Sequence, residues 1–252
     1  MEVRIARTAG FCWGVRRTIE RLMEVADAAG GVVTLGPIIH NPQAVERMRE
    51  RGVGTVDAVS EVGDGTTVVV RTHGAVKREL AAARERGLRV VDGTCPYVKY
   101  PQVMAQRLSK EGYHVVIVGD ANHAEVKGVV SYAEGPCTVV KPGAPLPDLD
   151  AKKVAVLAQT TCIGAEFERV VGALALRHRE VRAVNTICSD TDERQSDASE
   201  LARHVDAVVV VGGKNSANTR HLAELCRGIQ PRTWHVETAD ELDPTWFQGC
   251  KV

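Results

Sequence analysis

Two hydrophobic rhythms alternate along this chain. Short valine-rich runs read as buried strands of about four or five residues: Val32-Val-Thr-Leu35, Thr67-Val-Val-Val70, Leu88-Arg-Val-Val91, Val115-Val-Ile-Val118, Cys137-Thr-Val-Val140, Val154 to Leu157, Val181-Arg-Ala-Val184 and Ala207-Val-Val-Val-Val211. Between them apolar residues recur at helical spacing. Val15, Ile19, Leu22 and Met23 predict a helix that ends near Gly30-Gly31, and further helices are predicted from Pro42 to about Arg51, Val76 to Arg86, beyond His123 to about Tyr132, Ala165 to His178, Asp192 to Arg203, and beyond Thr219 to Arg227. The alternation of Val3 and Ile5 predicts one more strand at the N-terminus, and Cys250-Lys-Val252 reads as another. Short β-branched runs alternating with amphipathic helices mean βαβ units and parallel sheets. Lys141-Pro-Gly-Ala-Pro-Leu-Pro147 is the stretch most like a linker.

In parallel α/β sheets, ligands bind where strands hand over to helices. Here those junctions hold nearly all the unusual residues: Cys12, His40, His73, Cys95, His123, Glu125, Thr160, Cys188, Ser216 and Asn218. Three cysteines recur in one context, a strand, a short turn, the thiol and a helix, with Pro96 at a first helical position after Cys95. Amide groups at a helix start favour thiolate over thiol, and the thiolate is the form that ligates metal. The three lie far apart in sequence, so no C-x-x-C pair exists and a local zinc knuckle is excluded. Three thiols can hold three irons of a cubane and leave the fourth open, as a Lewis acid backed by the cluster's electrons.

The histidines and the Ser216/Asn218 pair suit a phosphate-like anion at helix N-termini, and Glu125, in a dry pocket, has the raised pKa of a proton donor. Plainer roles compete with each of these. A lone cysteine is often a small buried hydrophobe, Glu125 could simply favour its helix dipole, and Thr160, Thr161 and Ser216 are good helix caps. His114, His178, His204, His221 and His235 lack such placement, and no role is assigned to them. Gly212-Gly213 follows a strand, but the G-x-G-x-x-G spacing of a dinucleotide loop is absent.

Composition narrows the choice further. With 252 residues and 44% hydrophobic residues the chain has material for real cores. Its 32 Lys and Arg balance 32 Asp and Glu, so no global field calls for nucleic acid or an anionic membrane. Aromatic residues are only 4%, too few for a single-strand stacking surface. No apolar run approaches a membrane span, no signal-like h-region opens the chain, and seven cysteines is an odd number, which together point to a cytoplasmic protein with reduced thiols.

Motifs then accumulate in order: Ala9-Gly-Phe-Cys-Trp-Gly-Val15, Gly36-Pro-Ile-Ile-His-Asn-Pro42, Thr72-His-Gly74, Gly93-Thr-Cys-Pro96, His123-Ala-Glu125, Gln159-Thr-Thr161, Ile187-Cys188 with Arg194-Gln195, and Lys214-Asn-Ser-Ala-Asn218. Over the stretch from Ala9 to Asn218 this series strongly resembles the IspH/LytB family of 4-hydroxy-3-methylbut-2-enyl diphosphate reductases. The resemblance implies an α/β fold of three pseudo-symmetric units with small parallel sheets, arranged as a trefoil around a central iron–sulfur cluster. The units would be residues 14–95, 96–187, and 188–252 joined by the N-terminal strand 1–13. It further implies reductive dehydroxylation of an allylic diphosphate to isopentenyl and dimethylallyl diphosphates, the last step of the non-mevalonate isoprenoid pathway.

By motif, Cys12, Cys95 and Cys188 would ligate one 4Fe-4S cluster with one open iron. His40, His73, His123, Ser216 and Asn218 would hold the diphosphate, Glu125 would relay protons with help from His123, and Thr160 would orient the substrate hydroxyl. Electrons would come from an external donor such as ferredoxin or flavodoxin. Ala124 stands where the family commonly has proline and Ala217 where it commonly has a second serine. Family members commonly continue past a segment like Cys250–Val252 into a serine-containing stretch, so the third unit is expected to be incomplete here. Two rivals share the open-iron cluster: a non-redox hydratase, which needs no electron donor, and an iron–sulfur redox sensor, which needs no diphosphate pocket.

Overall fold

β-branched side chains lose little freedom on a pleated surface, and each valine-rich run becomes a strand. The computed structural model describes residues 1–28 and 30–252. Its strands are β1 (Val32–Leu35), β2 (Val53–Val56), β3 (Thr67–Val70), β4 (Arg89–Asp92), β5 (His114–Val118), β6 (Cys137–Val140), β7 (Lys153–Ala158), β8 (Glu180–Ala183), β9 (Val208–Val211) and β10 (Thr233–Val236). The helices are α1 (Trp13–Ala28), α2 (Pro42–Glu50), α3 (Lys77–Glu85), α4 (Pro96–Lys110), α5 (Ala124–Tyr132), α6 (Gly164–Ala175), α7 (Ser189–Ala202) and α8 (Ala217–Ile229).

The strands make three parallel sheets, ordered β2-β1-β3-β4, β6-β5-β7-β8 and β10-β9. The chain gathers into two compact units, one of residues 13–39 and 43–187, the other of residues 1–12, 40–42 and 188–252. The first unit holds both four-stranded sheets. Their inner strands β3 and β5 are buried almost end to end, as is β7, because helices cover both faces. Val69, Val115, Val116, Val154 and Leu157 are all fully enclosed, each stabilising the fold by roughly 1.5–3 kcal/mol relative to an exposed side chain. The second unit holds β9 and β10, paired from Thr233↔Val208 to Val236↔Val211, with α7 packed on α8.

One packing detail positions a site residue. Thr18, on α1 and fully buried, lies 2.9 Å from the Gly14 carbonyl and 2.8 Å from the Gly93 carbonyl, and its single hydroxyl proton is shared between them. A Cβ on Gly93 would come within 2.3 Å of the Val70 carbonyl, so only glycine lets the chain turn there, two residues before Cys95.

Several expectations are corrected. No strand forms over residues 1–10: Val3 and Ile5 are 76% and 79% exposed, and the alternation of two apolar residues found neither a core nor a ladder. Nor is Cys250–Val252 a strand; Asp206 N donates to the Val252 carbonyl at 2.9 Å, while the Asp206 carboxylate takes the amides of Lys251 and Val252. Helix α7 starts at Ser189 rather than Asp192, directly after Cys188, and α6 ends at Ala175 rather than His178. Strands β2 and β10 were not foreseen. Gly54 interrupts the first, and the second, Thr-Trp-His-Val, has no valine run.

Candidate functional site

A backbone rule places the chemistry. Cys95, His123, Cys188 and Ser216 are the N-cap residues of α4, α5, α7 and α8, each in extended conformation just before the first helical turn, and Cys12 immediately precedes α1. Three of these caps share a turn that sequence reasoning missed. The Asp92 carboxylate accepts from Thr94 N at 2.9 Å, Asp120 from Asn122 N at 2.9 Å, and the Asn185 amide oxygen from Ile187 N at 3.0 Å. In each case an Asp or Asn three residues ahead closes a tight turn and delivers Cys95, His123 or Cys188 to the helix start. The signal was present as Asp/Asn-x-x-Cys/His.

The first unit brings four of the expected residues into one connected set. Glu125 is 1% exposed, and both carboxylate oxygens are met by one residue: Thr160 N donates to Oε1 at 2.6 Å and the Thr160 hydroxyl to Oε2 at 2.7 Å. Burial pushes the Glu125 carboxyl up to about 6, against the pull of the two Thr160 hydrogen bonds. His123, also buried, accepts from Glu125 N on Nδ1 at 3.2 Å. That bond commits Nδ1, so the ring's outward donor is Nε2–H. The His73 ring stands edge-on to His123 with centroids 5.2 Å apart. Behind Thr160, the Gln159 side-chain oxygen accepts from Asp120 N at 3.1 Å and fills the space where a Cβ on Gly119 would lie, locking the Thr160 loop to the turn before His123. Cys95 belongs to the same unit, buried, with its amide donating to the Thr72 carbonyl at 3.0 Å. The Thr72 hydroxyl is buried without a hydrogen-bond partner among the described residues.

The second unit carries Cys12, His40, Cys188, Ser216 and Asn218. The Ser216 hydroxyl oxygen accepts from Thr219 N at 3.3 Å, which leaves its own proton to donate. Asn218 Oδ1 is buried with no partner among the described residues. A side-chain amide flips with little change of shape, and Nδ2 in that buried place is the donor an anion calls for. A Cβ on Gly213 would lie 2.5 Å from the His40 carbonyl, so the glycine-rich loop after β9 and the His40 backbone are in close approach.

Residues without an assigned role have structural partners. His114 bonds the Thr138 hydroxyl at 2.8 Å, His178 the Ala151 carbonyl at 2.9 Å, His204 the Glu200 carbonyl at 2.8 Å and His235 the Gly212 carbonyl at 2.9 Å. Cys162 sits in the core of the second sheet, where burial pushes its thiol up to about 12.

Parallel βαβ sheets whose strand-to-helix junctions present thiols, imidazoles and one buried carboxyl define the class: an α/β enzyme with its chemistry-bearing residues at helix starts. The family model described as LytB protein matches residues 3–252, and the chain belongs to the LytB family. Curated relatives named 4-hydroxy-3-methylbut-2-enyl diphosphate reductase include one from an Anaeromyxobacter species, 81% identical over all of this chain and 89% of the relative, and one from Geobacter sulfurreducens, 51% identical over the same shares. A solved structure of (E)-4-hydroxy-3-methyl-but-2-enyl diphosphate reductase, described as the terminal enzyme of the non-mevalonate pathway, superimposes with a TM-score of 0.73 at 43% identity, covering 99% of this chain and 90% of that one. The reductase structure from Plasmodium falciparum gives a TM-score of 0.86 at 25% identity over 96% of this chain and 78% of its own.

Proposed function

We propose that this chain is an oxidoreductase performing the reaction its relatives' names state: two-electron reductive removal of the hydroxyl of (E)-4-hydroxy-3-methylbut-2-enyl diphosphate, the terminal step of the non-mevalonate pathway. The allylic C–O bond breaks, the oxygen leaves as water, two electrons and two protons are consumed, and isopentenyl and dimethylallyl diphosphates result. The observation that carries this reading is a carboxyl at 1% exposure, raised to about 6, with both oxygens on Thr160 and, among the described residues, no cation bonded to it. A buried acid of that kind costs stability and has no structural use that a neutral side chain would not serve better.

The donor set fits an iron–sulfur cluster. Cys12, Cys95 and Cys188 each stand at a helix start, and among the described residues no fourth cysteine shares that placement. A 4Fe-4S cluster held by three cysteines supplies electrons and, at its open iron, a Lewis acid for the substrate hydroxyl.

The chain's own residues handle anion and protons. Nε2–H of His123, the rings of His40 and His73, the Ser216 hydroxyl and the Asn218 amide hold the diphosphate at helix N-termini. Glu125 and Thr160 form the relay. A hydroxyl both donates and accepts, so protonated Glu125 passes a proton to the Thr160 oxygen while the Thr160 proton moves on to the leaving oxygen. At pH 7 an acid of pKa about 6 is about one-tenth protonated, enough to serve while still able to reload.

Three further readings belong to the proposal. Residues 14–95, 96–187, and 188–252 with 1–13 form three α/β units; in support, each span holds one of the three sheets, and Glu2 N donates to the Lys251 carbonyl at 2.7 Å. An external ferredoxin- or flavodoxin-type protein delivers electrons one at a time. The protein works in the cytoplasm; among the described residues no helix is long and apolar enough to cross a membrane.

Glu125→Gln tests the reading. The amide keeps the shape and an acceptor for Thr160 N but carries no acidic proton. Anaerobic turnover is expected to fall by orders of magnitude with iron content unchanged, and retained turnover removes the relay.

A further inference from the structure

Residues 1–10 contribute no strand or helix, so the segment leading to Cys12 lacks the ladder bonds that hold the other loops. Two charged side chains of α7 hold it instead. The Asp197 carboxylate accepts from Thr8 N at 2.9 Å and the Thr8 hydroxyl at 3.0 Å on one oxygen, and from Arg7 Nε at 3.2 Å on the other. One helical turn back, Arg194 donates from Nη1 to the Gly10 carbonyl at 2.9 Å while its Nε bonds Asp190 at 2.6 Å.

These side chains are only 11% and 14% exposed. Charged groups that far from water are uncommon unless fully bonded, and here the bonds go to backbone that belongs to no helix or strand and whose backbone hydrogen bonds among the described residues run from Glu2 N to the Lys251 carbonyl at 2.7 Å and from Ala9 N to the Ala6 carbonyl at 3.1 Å. The helix that supplies them is the one capped by Cys188, and it is a stiff rod: Asp197 lies about 13 Å along it from the cap.

We infer that Asp197 and Arg194 are positioning residues for the metal site, fixing the backbone that carries Cys12 to the Cys188 helix so that the two thiols are held ready before iron arrives. The inference rests on the reading that Cys12 and Cys188 are cluster ligands. In that reading the clamp is an outer-shell support, and its loss loosens one ligand of the three. Asp197 is held below the usual carboxylate range chiefly by the Thr8 amide bond, so the clamp is charged at neutral pH.

The test uses the full chain in four forms: wild type, Asp197→Ala, Asp197→Asn, and Thr8→Val, which removes only the hydroxyl bond and guards against a first variant that fails to fold. Two quantities are read: the alkylation rates of Cys12, Cys95 and Cys188 by iodoacetamide in iron-free protein, mapped by peptide mass, and the half-life of iron in anaerobically reconstituted protein facing a chelator. In Asp197→Ala, Cys12 is expected to react about fivefold faster with Cys95 unchanged, and iron to leave about tenfold faster. Thr8→Val shifts both in the same direction by less. Asp197→Asn, whose amide oxygen can accept both the Thr8 amide and the Thr8 hydroxyl and which gives up only the exposed Arg7 bond, recovers most of both losses. An unchanged Cys12 rate in Asp197→Ala overturns the inference, as does an equal rise at all three cysteines, which signals general loosening. If wild type takes up no iron while Cys12 still responds to Asp197→Ala, the clamp stands and the cluster reading falls.

Discussion

Thr160 alone receives both oxygens of Glu125, the amide at 2.6 Å and the hydroxyl at 2.7 Å. The two bonds differ in kind. The amide can only donate, so it favours carboxylate; the hydroxyl can reverse, so it tolerates either protonation state. Glu125 is therefore fixed in place without being fixed in charge, and the account of proton delivery depends on that difference.

Removing the acidic proton at this point is expected to be severe. Glu125→Gln should lower kcat by about a hundredfold to ten-thousandfold, with the iron–thiolate absorbance in the region of roughly 400 nm retained. Steady-state kinetics beside an iron assay separates a lost proton from a lost metal site.

The same carboxyl makes stability depend on pH in a stated direction. Its folded pKa of about 6 exceeds the ordinary value of 4.5. The folded state thus binds this proton more tightly, and the contribution is present in full below about pH 4.5 and lost as pH rises through 6. The cost of keeping Glu125 buried at pH 8 is about 2 kcal/mol. Glu125→Gln should gain on the wild type by that amount between pH 4 and pH 8, about 5 °C in Tm. Paired thermal melts across that range check it; a constant difference contradicts the raised pKa.

Thr160→Val removes the reversible bond and keeps the amide. With one donor fewer the Glu125 carboxyl should rise above its present value, and kcat should drop by about a hundredfold. Thr160→Ser should restore both. The pH–rate profile decides, since a merely structural role for the hydroxyl leaves the limb governed by Glu125 where it is.

Gly213→Ala probes the loop proposed to hold the diphosphate. The new Cβ would sit 2.5 Å from the His40 carbonyl, a backbone atom that cannot swing aside. Destabilisation of about 1–3 kcal/mol is expected, with KM for the diphosphate raised more than kcat is lowered. A melt and a Michaelis curve on one preparation measure both.

Much of this was legible in the residues, for physical reasons. Valine runs such as Thr67–Val70 and Cys137–Val140 became strands with the bounds read from sequence; the first is buried at all four positions inside its sheet, and the second, at an edge, is buried fully only at Val140. The helix-start placement of the candidate residues was legible because helix N-caps are where a chain exposes amides, and Cys95, His123, Cys188 and Ser216 all stand at one. Val3 and Ile5 misled because alternation reports a possible face, not a partner to pair with. Strand β2 escaped because Gly54 breaks its pattern, although its ladder with β1 supplies what propensity lacks. Asp197 escaped for a different reason: it meets Thr8 across 189 residues of sequence, a contact no local window contains.

The most direct measurement of the central claim is the electron count per product. Anaerobically reconstituted protein, given (E)-4-hydroxy-3-methylbut-2-enyl diphosphate and a one-electron reductant such as reduced viologen, should consume two electrons for each isopentenyl or dimethylallyl diphosphate formed and release no product without reductant. Product formed with no electrons consumed, or iron-loaded protein that leaves the allylic hydroxyl in place under full reduction, would contradict it.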